Sequence, residues 1–303
     1  MTSISARSIV VAAILVGSIG PALAEFEIQE STIDPGETQL QYRGAWHRGL
    51  PANEEIEGID LSTDPGDAPL KQSQDFEIQY SPTTFWLVAL THVFDEPADE
   101  HFRLNSIEFE TQFELITREG DGLGFSVQGG TEQPVFEVRE EADPEIAIGP
   151  IVELSKSNYT LVLNPLFFRE IGDKNDQEGF GFEYGWQGRK ELFGERLWLA
   201  VEMFGEIEDM SNAGPFNEQQ HSIGPAVYYT FGKEDDFVGD DDPYDVDRKS
   251  KELTVSLGAQ FGLSDATSDG AVWIFMGWDF DWGGRGVRLG CVVGCGREAG
   301  VGS

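Results

Sequence analysis

Residues 251–280, KELTVSLGAQFGLSDATSDGAVWIFMGWDF, alternate with a period of two on either side of a turn. Leu253, Val255, Leu257, Ala259, Phe261 and Leu263 share one face; Glu252, Thr254, Ser256, Gly258, Gln260 and Gly262 share the other. After SDATSDG the apolar face returns as Val272, Ile274, Met276, Trp278 and Phe280. Neighbouring side chains of a strand point to opposite sides, so this stretch predicts a hairpin of two long strands, greasy on one face only. About ten such residues ending in an aromatic suffice to cross a bilayer at a tilt of roughly 45°. A sheet edge left open is not stable in lipid. A spanning hairpin therefore commits the rest of the chain to closing a barrel.

Residues 1–24 read as a secretory signal. Arg7 gives the positive start, Ile9 to Ile19 the apolar core, and Ala22-Leu23-Ala24 the cleavage site before Glu25. That apolar run is too short to span as a helix, and no other stretch approaches about 18 apolar residues. The chain carries 55 acidic and 20 basic residues, a formal net charge of −35. Such a balance repels nucleic acid and attracts cations. Cys291 and Cys295 are the only cysteines, so a disulfide scaffold is excluded.

Period-two alternation recurs along the chain. Strands are expected at 37–47, 74–80, 85–94, 104–117, 123–129, 145–154, 159–170, 179–187, 197–208 and 221–231, ahead of the hairpin at 251–280. The clearest is 104–117, where Ile107, Phe109, Thr111, Phe113 and Leu115 alternate with Glu108, Glu110, Gln112 and Glu114. Residues 25–35 are a short stretch ahead of the first strand. Twelve strands put both ends of the sheet on one side, as bacterial single-chain barrels require. The short turns SPTT, EGDG and SKSN then share the periplasmic side, and the loops 48–72, 95–102, 131–144, 172–178 and 209–220 face outward. The acidic segment 233–250 breaks the pattern, being long and periplasmic. Pro150, Pro165 and Pro225 fall inside expected strands, where each removes a ladder donor and marks a bulge or an end.

With apolar faces toward lipid, Asp75, Glu77, Glu108, Glu110, Glu114, Glu153, Glu183, Glu202, Glu206 and Glu208 are expected to line the lumen, with Arg43 among few cations. Rings of carboxylates favour cations; the bland alternative is that these acids are merely paired or solvated. Tyr42, Trp46, Tyr80, Trp86, Trp186, Trp198 and Trp278, with Tyr159 and Trp282, suit interfacial girdles. The run 234–247 offers oxygen ligands for Ca²⁺ but lacks EF-hand spacing and is interrupted by Pro243, so a solvated loop is the better reading and a metal site stays undecided. His47, His92, His101 and His221 are scattered, and His221 and Ser222 face opposite sides of a strand, so they do not form a dyad. No nucleophile elbow, phosphate loop or zinc spacing is present, and neither catalysis nor a cofactor is expected.

The segments GFEYGWQ, VEMFGEIEDMSNAGPFNEQQHSIGP (201–225) and LGAQFGLSDATSDGA (257–271), with EFEIQES at 25–31 and EYGW at 183–186, resemble a family of uncharacterised outer-membrane β-barrels of alpha-proteobacteria, some called putative transporters. The likeness covers most of 25–280. It implies a porin-like barrel and an outer-membrane address in a Gram-negative envelope, but no catalytic residue and no substrate. It also implies that the barrel-assembly machinery reads the terminal strand at Phe280, where similar proteins stop. Here residues 281–303 follow, a Gly/Arg-rich tail that reads as disordered. A frameshifted or read-through end and a working tail with its Cys-x3-Cys pair both remain open.

The expectation is an all-β protein, a transmembrane antiparallel up-and-down β-barrel of about 12 strands over 25–280. Its partners are outer-membrane lipid and small solutes or cations, and its role is passage of small solutes with a cation preference. A non-conducting structural barrel, a secreted ligand-binding β-sandwich and a barrel lipid hydrolase are the alternatives.

Overall fold

The computed structural model describes residues 26–51, 70–98, 101–135, 143–172, 179–193, 196–232 and 252–281. The signal segment 1–24, the acidic run 234–247, Trp282 and the cysteine-bearing tail lie outside them. Twelve strands form: β1 (Glu37–Arg48), β2 (Leu70–Thr83), β3 (Trp86–Pro97), β4 (Arg103–Ile116), β5 (Gly122–Pro134), β6 (Glu145–Lys156), β7 (Tyr159–Glu170), β8 (Gly181–Leu192), β9 (Leu197–Ile207), β10 (Gln220–Phe231), β11 (Leu253–Gly262) and β12 (Gly270–Asp281). Each pairs antiparallel with its sequence neighbours, and β1 pairs with β12 from Glu37↔Asp281 to Arg48↔Gly270, so the sheet closes into a ring. Closure leaves no edge strand, and the sandwich alternative is excluded. The lower end of the barrel carries the start of β1, the end of β12, the short turns and the long connection from Phe231 to Leu253; the upper end carries the other loops.

The expected strands are all found, with shifted ends. β5 runs on through Gly129-Gly130-Thr131-Glu132, which has no apolar alternation of its own. The ladders to β4 and β6 carry it there, through Phe109↔Thr131 and Thr131↔Ile146. β8 starts two residues later than the alternation predicts and continues past the aromatic run to Leu192. β9 ends at Ile207, which leaves Glu208 exposed beyond the strand rather than on its inner face.

The strand prolines sit where ladders break. Pairing of β6 with β7 skips from Ile148↔Phe167 to Val152↔Leu163, across Pro150 and Pro165. Pairing of β10 with β11 skips Gly224 and Pro225. In each gap the neighbouring carbonyl moves in over the glycine before the proline: a Cβ on Gly149 would lie 2.0 Å from the Pro165 carbonyl oxygen, and one on Gly224 1.7 Å from that of Ala259. A Gly-Pro pair thus loses one N–H and gains a close backbone approach, which the ring absorbs without opening.

The barrel is apolar outside and polar inside. Leu40, Phe76, Ile78, Leu90, Phe109, Ile148, Leu161, Phe167, Leu199, Leu257 and Val272 are exposed, while Glu108, Glu153, Asn164, Gln187, Glu202 and Gln260 have essentially no exposed surface. This inverts the usual arrangement of a water-soluble domain, in which charged residues are almost never fully buried. Inside, buried apolar residues cluster in two patches, Ala45–Ala200–Ala226–Trp273 and Ala147–Leu166–Phe168, with others such as Ile151 and Val162 set among polar neighbours.

Candidate functional site

The lumen is the one enclosed polar region among the described residues. Its inward face holds Asp75, Glu77, Glu108, Glu114, Glu153 and Glu202, all buried, with Glu110, Glu183 and Glu206 partly buried. Antiparallel register sets several of them side by side. Glu77↔Thr91, Thr91↔Glu108, Glu108↔Glu132, Glu132↔Glu145 and Glu145↔Glu170 form one continuous row across β2 to β7. Five of its six members are acids. Directly opposed residues lie about 5 Å apart, and two like charges at that distance repel by about 3 kcal/mol at an effective dielectric of roughly 20. The row climbs from midway along β2 to the upper ends of β6 and β7, where Glu145 also feels Glu183 and Glu206. Glu132, Glu145 and Glu170 are lumenal acids that strand alternation did not single out, because they sit at strand ends where the apolar partner residues give out.

The acids divide into two sets by what holds them. In one set Glu77 accepts from Arg43 at 2.5 Å and Glu202 from Gln187 at 2.6 Å and from the Tyr228 hydroxyl, while Glu153 is ion-paired with Arg118 at 2.8 Å. Arg189, above the ring of Trp198 at 3.9 Å, also approaches Glu153 at 3.6 Å. In the other set Glu108 stands apart: both its carboxylate oxygens are buried without a hydrogen-bond partner, whereas Glu77, Glu110, Glu114, Glu153 and Glu202 each have one such oxygen, and the hydroxyls of Thr91 and Ser106 are buried and unpartnered too. Uncompensated buried carboxylate oxygens are costly.

Strand alternation assigned no role to the stretch before β1, yet that stretch fills the lumen. From the lower rim, where the Gly36 N–H donates to the Ser81 carbonyl at 2.8 Å, the chain runs up inside the barrel to Phe26. The Phe26 ring lies 5.7 Å from that of His47 and 5.3 Å from that of Phe204, near the upper ends of β1 and β9. The side chains of the wall grip its backbone. Asn164 both accepts from the Gln29 N–H at 2.7 Å and donates to the Gln29 carbonyl at 3.0 Å, as a neighbouring strand would. The N–H groups of Ser31 and Ile33 donate to Glu153 at 3.3 Å and Glu114 at 2.7 Å. Gln112 donates to the Glu30 carbonyl at 2.9 Å and the Ser126 hydroxyl to that of Ser31. Glu27 pairs with Arg43, and Glu30 with Arg189. The signal for this segment was present in FEIQESTI, whose Glu27, Gln29, Ser31 and Ile33 alternate and are all buried. Between the segment and the wall, chiefly β1, β2, β8 and β10–β12, remains a cavity of about 340 Å³, lined with Gln39, Gln41, Gln187, Arg43, Arg189 and Tyr228 among others.

The aromatic residues divide too. Trp46, Tyr80, Trp86, Tyr159 and Trp278 are exposed near strand ends. Tyr42 and Trp186 lie near the middles of β1 and β8, and Tyr42 donates to Gln74 at 2.6 Å. Trp198 is not a girdle residue: it shares the inward parity of Ala200 and Glu202, where its ring lies under the Arg189 guanidinium. His47 stacks inside, on Phe26. His221 faces outward, its Nδ1 2.9 Å from the Tyr184 hydroxyl and its ring stacked on Phe216 at 4.2 Å, with Ser222 on the opposite face. Among the described residues no group of three His, Cys, Asp or Glu is placed to hold a metal ion.

Comparison with known proteins returns barrels. No protein-family model matches the chain, and no curated protein matches it. A KdgM porin aligns over 80% of this chain and 98% of its own at 7% identity, with a TM-score of 0.44. Omp33 of Acinetobacter baumannii aligns over 81% and 98% at 8% identity, with a TM-score of 0.39. LpxR from Salmonella typhimurium aligns over 80% and 99% at 10% identity, with a TM-score of 0.38. These likenesses are too remote to assign a family.

Proposed function

We propose that the chain is an outer-membrane β-barrel that passes small solutes and favours cations. The observation that carries this reading is the row of inward carboxylates on β2–β7, crowned by Glu108 with no partner for either oxygen. Such a row lowers the energy of a cation and raises that of an anion at the same point of the path. Membrane residence is supported by the exposed apolar exterior, with Tyr80, Trp86, Tyr159 and Trp278 collected at the lower end. The likeness to the alpha-proteobacterial barrels, export through a cleaved signal, and recognition of the terminal strand at Phe280 by the barrel-assembly machinery belong to the same proposal.

The test is planar-bilayer conductance of the refolded chain under a KCl gradient. A reversal potential on the cation side is expected. Glu108→Gln with Glu110→Gln should move it toward zero, since neither acid is held in a close ion pair as Glu77 and Glu153 are, and Arg43 reaches Glu110 only at longer range. An anion-side potential, or one that ignores the double substitution, defeats the cation reading. A second reading, a barrel that conducts nothing, is favoured by one observation: residues 26–36 run the length of the lumen. A folded barrel without current under any condition would establish it.

A further inference from the structure

We infer that the inner wall of β4–β8 is a binding groove for an extended peptide, that its resident occupant is the chain's own segment 26–36, and that the segment leaves this groove to open the lumen. The second part rests on the channel reading; the first does not.

Three features point to an occupant that is bound rather than built in. The segment joins no strand ladder: its backbone is held by side chains projecting from the wall, through Gln112, Glu114, Ser126, Glu153 and Asn164. The wall is cut to receive it, because a Cβ on Gly124 would lie 2.1 Å from the Ser31 hydroxyl oxygen and 3.2 Å from the Ser31 Cβ. A side chain at 124 would have to take the place of the Ser31 hydroxyl and press on the Ser31 Cβ. Lastly, the segment hangs from a pivot. Asp34, Pro35 and Gly36 are exposed at the lower rim, and Gly36 holds φ +81° with open space around it, a backbone state that costs other residues more.

The segment's chemistry also matches its groove. It brings Glu27 to Arg43 and Glu30 to Arg189. On leaving, it takes two carboxylates out of the lumen and leaves Arg43 to Glu77 and Arg189 to Glu153. Its apolar anchors are few, chiefly Phe26 against His47 and Phe204, and Ile33. The remaining hold is polar, and polar contacts exchange with water at little net loss.

The test uses the full chain with Cys291 and Cys295 replaced by Ser. Ser31→Cys places a thiol where no surface is exposed, and Thr117→Cys gives an exposed control. Labelling by a membrane-impermeant maleimide is followed by mass. An exchanging segment labels to completion at a rate well below that of the control. Asn164→Ala, which deletes both hydrogen bonds to Gln29, should raise the rate about tenfold or more. A thiol at position 31 that never labels in folded barrels, or whose rate ignores Asn164→Ala, overturns the inference whether or not the barrel conducts. Gly124→Cys paired with Ser31→Cys then locks the segment by oxidation. Current present when reduced and absent when oxidised supports the gate. Current unchanged by a verified disulfide removes the gate and leaves the channel. Labelling that exchanges without current in either state removes the channel and keeps the groove.

Discussion

Arg43 is the residue on which the lower lumen turns. Its guanidinium is buried and serves Glu27, Glu77 and Gln41 together. Removing one partner of a buried pair leaves the other charged and dry, typically at about 3–5 kcal/mol. Arg43→Met should therefore lower the urea midpoint of the refolded barrel strongly. Adding Glu77→Gln should recover part of that loss, because one of the stranded carboxylates is then gone. If the double variant is no better than the single, the pair is not what Arg43 contributes. The same logic explains why Glu108 differs from Glu153. Both are fully buried, but Glu153 is met by Arg118, Arg189 and Ser31, whereas Glu108 faces Thr91 and other acids.

At the scale of the strand, inward and outward residues face different solvents. Leu257 lies midway along β11 and is exposed, and its neighbour Ser256 is buried. Arginine at a lipid-facing position near the bilayer midplane costs about 2–4 kcal/mol. Leu257→Arg should reduce folding yield into vesicles by that measure, and a Leu257→Arg barrel as stable in vesicles as the parent would argue against lipid on this face. Strand positions and faces were legible because alternation is a local signal: Leu253 to Phe261 and Ile107 to Leu115 announce themselves. What alternation could not supply was register. The acid row across β2–β7 exists only because Glu108, Glu132 and Glu145 come opposite one another, and nothing within any one strand encodes that. Trp198 was misread for a related reason, since an aromatic near a strand end looks alike whether it faces lipid or an arginine. Residues 26–36 were overlooked because they alternate without a partner strand, and period-two polar residues ahead of a first strand read as a mere lead-in.

The whole molecule is a ring in which every strand is paired on both sides. No strand can leave without exposing two ladders, so unfolding is expected to be all-or-none. Tryptophan emission and the shift in gel mobility on heating should lose their folded values at the same urea concentration. Separate midpoints would mean that part of the ring opens alone. The ring is also filled unevenly: segment 26–36 lies against β4–β8, and the cavity of about 340 Å³ lies chiefly toward β1, β2, β8 and β10–β12.

The seam between β1 and β12 joins the first strand made to the last. Until Gly270–Asp281 emerges, β1 has one neighbour and the interior is a trough open along its length. Segment 26–36 can be laid in that trough sideways, each contact forming where it will stay. Once the seam shuts, the only route to the same place is end-on through the rim, past Arg43 and Arg189. Order of closure therefore decides whether the thread is enclosed as the ring forms or must find its own way in later.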